Sequence, residues 1–351
     1  MPAPKLLTRD SFRAAVFARD QHRCVNCGAE GVPLDAHHLV ERRLWPDGGY
    51  YLDNGATLCD PTCHMLAEST ELSCDDIRAK CGIKSAMLPP HLYPGDAVDK
   101  WGNVILPNGL RLRGELFWDE SVRLVLLPVA HLFTRLVKPP RTMHLPWSTG
   151  RTKDDRALPD VEFFRGKRVV VTEKLDGENT SVWGADGYVH ARTVDPLAPH
   201  PSRDRMKALA AELGPDIPVD WRVTGENIAA VHSIRYENLP PHPRWFFRPF
   251  NVWNERNECL AWGDVEEWCS LLDLQPVPVL YDGTFDEGVI RSLASTTRNG
   301  DPSEGYVVRL YEGFPFRDYR RAVGKFVRAN HNHSHGWRHQ RVEFNRTSSS
   351  A

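Results

Sequence analysis

The alternation of apolar and polar positions changes texture along the chain. From about Leu6 to Leu72 the pattern reads as a helix, a cysteine knuckle, a short strand pair around DAHHLV and a second helix beginning near Cys63. Between Leu88 and Arg156, prolines and turn signals interrupt it (LPPHLYPGD, LPNGLRLRG, VKPPRTMHLPWSTGRTKDD). One strand-like pair falls around NVILPNGLRLRGEL, and an apolar stretch at VRLVLLPVAHLFTRLV. This region reads as an extension of the first module followed by a linker near Lys138 to Asp155. Beyond Phe163, short β-rich runs (RVVVTEKL, TSVWG, YVHARTV, PVPVLYDG, GYVVRLY) alternate with helical stretches such as RDRMKALAAEL and VEEWCSLLDL. That alternation predicts an α+β domain built on antiparallel sheets. The expected division is 1–137 and 138–351, with RTSSSA as a solvated tail and no internal repeat.

A length of 351 residues suits two domains of roughly 100 to 200 residues each. With 41% hydrophobic and 26% charged residues the composition is that of a globular protein, and no run approaches the roughly 20 apolar residues of a membrane span. The N-terminus has no apolar stretch before a small-residue cleavage site, so the expected location is cytoplasmic, with no membrane partner. In a reducing compartment eight cysteines are poor disulfide candidates. Cys24, Cys27, Cys59 and Cys63 cluster, which points to metal, while Cys74, Cys81, Cys259 and Cys269 are scattered as buried thiols would be. A net charge of −2 does not by itself announce a nucleic-acid binder, but binding depends on local patches.

Cys24 and Cys27 in RCVNCG, with Cys59 and Cys63 in LCDPTCH, supply two thiolate pairs for one tetrahedral Zn2+. Between them lie His37, His38 and Asn54, and His64 follows Cys63. Over roughly residues 10 to 72 this arrangement resembles the HNH, or ββα-metal, endonucleases. The three-residue gap between Cys59 and Cys63 departs from the usual two. The resemblance implies that His37 and His64 hold a catalytic metal, that His38 is the general base and that Asn54 orients it. Hydrolysis of a phosphodiester needs such a divalent ion and a base. The alternative is a zinc-bound module that grips nucleic acid without cutting it.

TEKLDGEN contains KxDG, with Lys174, Asp176 and Gly177, at the end of a β-patterned run. Behind it come HARTVD with Arg192, TGEN with Glu226, FNVWN with Phe250 and Trp253, EGYVVR with Glu304, and GKFVR with Lys325. In that order these resemble the motifs of the covalent nucleotidyltransferases, the ATP-dependent ligases and capping enzymes, and are most similar to the RNA ligase branch over roughly residues 140 to 335. HLPWSTGRTKDD, HPSRD and HSIRY are similar to that branch as well.

The resemblance implies an adenylation domain of the ATP-grasp-like, antiparallel-sheet kind. In it Lys174 attacks the α-phosphate of ATP, leaving AMP on the lysine. Asp176 and Glu304 would coordinate Mg2+ or Mn2+, directly or through water. Glu226 would meet a ribose hydroxyl, Trp253 or Phe250 would stack on adenine, Glu173 would help read it, and Lys325 would neutralise the α-phosphate. Arg192 would meet the 5′-phosphate of the nucleic acid. An ordinary lysine is charged at neutral pH, so a neutral Lys174 is expected, favoured by burial near Lys325 with bound Mg2+. Only 26 residues follow Lys325, which reads as no room for a C-terminal OB-fold of about 80 to 100 residues.

The expected partner is RNA, or a nicked duplex, with 5′-phosphate and 3′-hydroxyl ends; sequence alone does not indicate protein partners. The alternatives are a nuclease whose ligase-like part senses ends or nucleotide, a DNA ligase acting on nicks, and a zinc-dependent binding protein with a decayed transferase. The basic tail from Arg320 to Arg346, interleaved with Phe326 and Trp337, would suit a backbone-tracking surface, or is simply solvated. His331, His333 and His335 in it are assigned no catalytic part.

Overall fold

A computed structural model describes residues 4–236, 239, 241–293, 297–298, 301–329 and 342–346. It contains two compact units, Met1–Val137 and Lys138–Ala351. Trp337, His331, His333 and His335 lie outside the described residues. Among the described residues no helix is long and apolar enough to cross a membrane.

In the first unit, helix α1 (Arg9–Arg19) starts at Thr8, whose hydroxyl accepts the Ser11 N–H at 3.2 Å, an N-cap. Phe12 and Val16, one turn apart, face inward. They press on strand β2 (Gly55–Cys59), which pairs antiparallel with β1 (Leu34–His38) in the register Leu34↔Cys59, His38↔Gly55. A Cβ on Gly55 would stand 2.5 Å from Val16 and 2.6 Å from Phe12, so only glycine allows this approach. Helices α2 (Thr62–Glu68) and α3 (Cys74–Lys80) follow, and Leu39, Leu58 and Ile77 fill the small core beside the cysteines. The extension forms a sheet in chain order: β3 (Ala97–Val98), β4 (Val104–Ile105), β5 (Arg111–Leu112) and β6 (Phe133–Thr134), the last two parallel. Helix α4 (Glu120–Val125), capped by Asp119, buries Val122 beside Trp101, Leu126 and Val129.

The second unit contains two larger sheets. Its strands are β7 (Met143–His144), β8 (Arg168–Glu173), β9 (Glu178–Trp183), β10 (Val189–His190), β11 (Arg222–Asn227), β12 (Phe247–Trp253), β13 (Glu258–Cys259) and β14 (Val279–Thr284). They continue with β15 (Thr297–Arg298), β16 (Asp301–Pro302), β17 (Gly305–Leu310), β18 (Phe314–Pro315) and β19 (Val323–Val327). One sheet runs β10-β9-β11-β12-β13-β18, all antiparallel, and the other β14-β8-β17-β19-β7, antiparallel except for β7 beside β19. Helices α5 (Pro201–Leu213) and α6 (Trp262–Leu271) contribute to the core that includes Val182, Val223 and Val252. The short helices are α7 (Glu287–Ser292) and α8 (Tyr319–Ala322). In β8, Val169 and Val171 belong to one core and Val170 to the other. Burial on both faces explains the unbroken VVV run.

The linker expected near Lys138 to Asp155 is in part sheet. Met143 and His144 pair with Gly324 and Lys325, Leu145 N–H donates to the Lys325 carbonyl at 2.7 Å, and both His144 and Leu145 are buried. A two-residue strand flanked by prolines carries too few positions to display a period.

Candidate functional site

In the second unit β8 delivers Lys174 to a cluster of charged groups. Its end is fixed by backbone bonds: Glu173 N–H donates to Pro278 O at 2.8 Å and Lys174 N–H to Gly305 O at 2.9 Å. Lys174 Nζ donates to Glu304 Oε2 at 2.5 Å; the lysine side chain is 23% exposed and the glutamate 1%. Gly177 N–H donates to Glu226 Oε1 at 3.1 Å, which draws the KxDG turn onto β11. A Cβ on Gly177 would lie 2.4 Å from the Asn227 carbonyl oxygen, so this close approach requires glycine.

Asp176 serves the backbone. Its Oδ2 accepts from Ser233 N–H at 2.7 Å, Ser233 Oγ at 2.7 Å and Ile234 N–H at 2.9 Å, while its own N–H donates to the Tyr236 hydroxyl at 2.8 Å. Burial pushes its carboxyl up, but the Ser233 bonds and Lys174 outweigh burial and hold it below the usual range. Ser233 and Tyr236 lie in HSIRY, a segment that sequence reading singled out without giving it a role. Bonds between a loop and a motif distant in sequence leave no periodic signal.

Glu226 and Lys325 carry the other perturbed charges. Burial, then Glu304 and Asp176, push the Glu226 carboxyl up to about 8, against Lys174 and Arg192. Lys325, on β19 opposite Val307 and beside His144, is pushed down by burial and by the charge of Lys174. Arg192, exposed in the bend after β10, carries a charge that acts on both. Glu173 is buried on β8 opposite Tyr306.

Acidic neighbours set the charge of Lys174, and the place of Trp253 needs correction. Burial pushes Lys174 down, yet Glu304, Glu226 and Asp176 outweigh it, so its ammonium is held above the ordinary range. These acidic neighbours favour the charged amine, and Lys325 is the one pushed down. Trp253 is a core residue, 2% exposed. The Arg222 guanidinium lies 4.6 Å from its ring centroid, and Phe314, Phe316 and Tyr319 pack around it. That leaves no ring face for adenine. Phe250 is half-buried on β12.

In the first unit, the ligand atoms of Cys24, Cys27, Cys59 and Cys63 all lie within 4.8 Å of one another, and Cys27 Sγ is 3.7 Å from Cys59 Sγ. Tetrahedral zinc with Zn–S of about 2.3 Å places sulfurs about 3.8 Å apart, so the four thiols fit that ion despite the three-residue gap. Burial pushes Cys24 up, but backbone N–H groups of Cys27, Cys59 and Asn26 bring it down to about 7.

A second cluster joins His37, His64 and Glu68, again with ligand atoms within 4.8 Å. Glu68 Oε1 lies 3.4 Å from His37 Nδ1, 3.2 Å from His64 Nε2 and 3.1 Å from Lys100 Nζ. His37 is fully buried, and burial, with Lys100, pushes it down to about 4. A neutral imidazole beside a carboxylate is a fitting donor set for a divalent ion. Sequence reading missed Glu68, one helical turn after His64, although i and i+4 share a face. It also missed Lys100, from the turn after β3, which donates to Glu41 Oε2 at 3.1 Å and to the His38 carbonyl at 3.3 Å.

His38 lies outside this ligand cluster. Its ring stacks on Phe12 at 4.7 Å and meets the edge of Tyr50 at 5.2 Å, and burial, with Lys100, pushes it down to about 4. Asn54 does not reach the His38 ring. Its Oδ1 accepts Val40 N–H at 2.9 Å and its Nδ2 donates to the Val40 carbonyl at 3.0 Å and the Gly49 carbonyl at 3.1 Å. The amide clamps the loop that follows His38, because a side chain with one acceptor in use and two donors committed has none left to donate to an imidazole.

No curated protein matches the chain. Solved structures with similarity include the Naegleria gruberi RNA ligase with PPi, 18% identical over 56% of this chain and 60% of that one, TM-score 0.38. A variant of that enzyme with ATP and Mn gives 18% identity, the same coverages and TM-score 0.36. Another, with AMP and Mn, gives 14% identity over 92% of this chain and 82% of that one, TM-score 0.39. This chain spans about 60% of the length of the first of these. Residues 167–327, β8 through β19 of the second unit, match the RNA ligase family.

Proposed function

We propose that the second unit is an ATP-dependent RNA ligase that joins 3′-hydroxyl and 5′-phosphate ends through an adenylate carried on Lys174. The observation that carries this is Lys174, after β8, bonded to Glu304 and accompanied by Glu226, Asp176 and Lys325, all within a segment matching the RNA ligase family. Joining needs a phosphate with a good leaving group. Lys174 Nζ forms the N–P bond to the α-phosphate of ATP while the bond to the β-phosphate oxygen breaks and pyrophosphate leaves. The amine must first lose a proton, which its acidic neighbours, Glu304 first, oppose.

Their oxygen set suits Mg2+ or Mn2+, and Glu304 with Asp176 or Glu226 would hold the ion; when bound, it supplies positive charge that competes with the ammonium for those carboxylates. Lys325 is suited to meet the α-phosphate, because an ammonium already disfavoured by burial gains from an anion. Half-buried Phe250 is the candidate to stack on adenine, with Glu173 at the end of β8 to help read it. Glu226 is assigned to the ribose and exposed Arg192 to the 5′-phosphate of RNA.

The first unit is assigned as a Zn2+-stapled HNH-type module that cuts or grips the same nucleic acid. His37, His64 and Glu68 would hold the divalent ion there, with His38 as base and Asn54 as the clamp of its loop. A cut leaving 5′-phosphate and 3′-hydroxyl ends would feed the ligase.

The test is incubation of the chain with α-labelled ATP and Mg2+. Label should stay with the denatured protein, be released by acid as a phosphoramide is, and vanish in Lys174→Ala. Label that persists in that variant overturns the assignment.

A further inference from the structure

Residues 342–346 lie against the loop that holds Asp176. Asn345 is 3% exposed. Its Nδ2 donates to the Ile228 carbonyl at 2.7 Å and the Ala230 carbonyl at 3.2 Å, and its Oδ1 accepts the Tyr236 N–H at 2.8 Å. The backbone continues the contact: Asn345 N–H donates to Ala229 O at 3.0 Å, Val231 N–H donates to Glu343 O at 2.9 Å, and Ala230 bridges Phe344. Arg235 pairs with Glu343, and the Arg205 guanidinium lies 5.7 Å from the Phe344 ring centroid.

The other side of the same loop holds the KxDG turn. Ser233 and Ile234 donate to the Asp176 carboxylate, and the Tyr236 hydroxyl accepts the Asp176 N–H. Residues 228–236 therefore form one layer, with Asp176 on one side and Asn345 on the other. Three side-chain bonds from a single buried amide use every hydrogen-bonding mode that an asparagine has except one lone pair and fix both ends of the layer. Glutamine has the same amide one methylene farther out, which a buried site this close does not accommodate.

We propose that Asn345 is a positioning residue for adenylate transfer: from the C-terminal segment it sets the 228–236 loop, and through that loop the placement of Asp176 beside Lys174. This rests on the ligase reading of the second unit. A reacting amine displaced by a fraction of an ångström loses rate steeply, while affinity for the nucleotide depends on other contacts.

The experiment compares wild type, Asn345→Ala, Tyr236→Phe and the double variant in full-length protein. It measures the rate constant of self-adenylylation, KM for ATP, thermal unfolding, and hydrogen exchange at the amides of 231–236. Asn345→Ala is expected to slow adenylylation by about tenfold or more with KM within about twofold, and to speed exchange at Ser233 and Ile234. The loss in the double variant should fall short of the product of the single losses, because both act through one layer. Unchanged exchange, an unchanged rate constant, a multiplicative double variant, or a rate loss that tracks the unfolded fraction each overturns the proposal. A wild type that takes no label from ATP would refute the ligase reading, while the exchange measurement would still decide whether Asn345 sets the loop.

Discussion

Glu226→Gln should make the second unit more stable and less active. The Glu226 carboxyl rises from 4.5 to about 8 because it is withdrawn from water next to Glu304 and Asp176. The folded chain thus keeps a proton that the unfolded chain gives up, and stability falls as pH climbs from about 4.5 towards 8, levelling off above. Each pH step between the two values costs about 1.4 kcal/mol, so at pH 7 the folded state has lost about 3 kcal/mol relative to pH 4. Water reaching this half-buried group screens part of that, leaving about 1 to 3 kcal/mol. Glutamine keeps an acceptor for the Gly177 N–H and has nothing to ionise. Urea unfolding followed by tryptophan fluorescence should show the variant equal to wild type at pH 4 and increasingly more stable up to pH 8. At pH 7 its Tm should be several degrees higher, while adenylylation falls with the loss of the ribose contact. A variant less stable at pH 7, or one whose advantage does not grow with pH, refutes the charge crowding inferred here.

Trp253→Ala should cost about 3 to 5 kcal/mol of stability without a specific rise in KM for ATP, whereas Phe250→Ala should raise KM with a smaller loss; the reverse pattern would restore Trp253 to the nucleotide site. A strong chelator should release one zinc per chain, measured colorimetrically, and unfold the first unit; Cys27→Ser should bind none. Asn54→Ala should destabilise the first unit by about 2 to 4 kcal/mol in denaturant titrations, because the buried carbonyls of Val40 and Gly49 and the Val40 N–H lose their partner.

What the sequence revealed follows from the kind of signal each feature leaves. Apolar runs predicted β8 and β17, because a strand whose residues are buried on both faces is largely apolar, and helices α5 and α6 followed from composition over ten residues or more. Motif order brought Lys174, Glu226 and Glu304 into one field of charge, but the balance of charges was not readable. One lysine among three acidic side chains is a property of the folded chain. Trp253 and Phe250 are both aromatic in one strand, and their different surroundings depend on strand parity and on the bulge between Thr224 and Gly225. Asn54, Lys100 and Asn345 act through backbone carbonyls or ion pairs with residues far along the chain, contacts with no sequence period.

Lys100 also bears on how this chain divides. Its ammonium joins Glu41, Glu68 and the His38 carbonyl, so a cation from the turn after β3 neutralises carboxylates on both sides of the histidine motif. A fragment ending at the last helix of the cysteine module would leave Glu41 with Arg43 alone and Glu68 with the histidines alone, a loss of up to about 3 to 5 kcal/mol for a broken buried pair. The smallest transplantable piece of the first unit must therefore include residues 97–101.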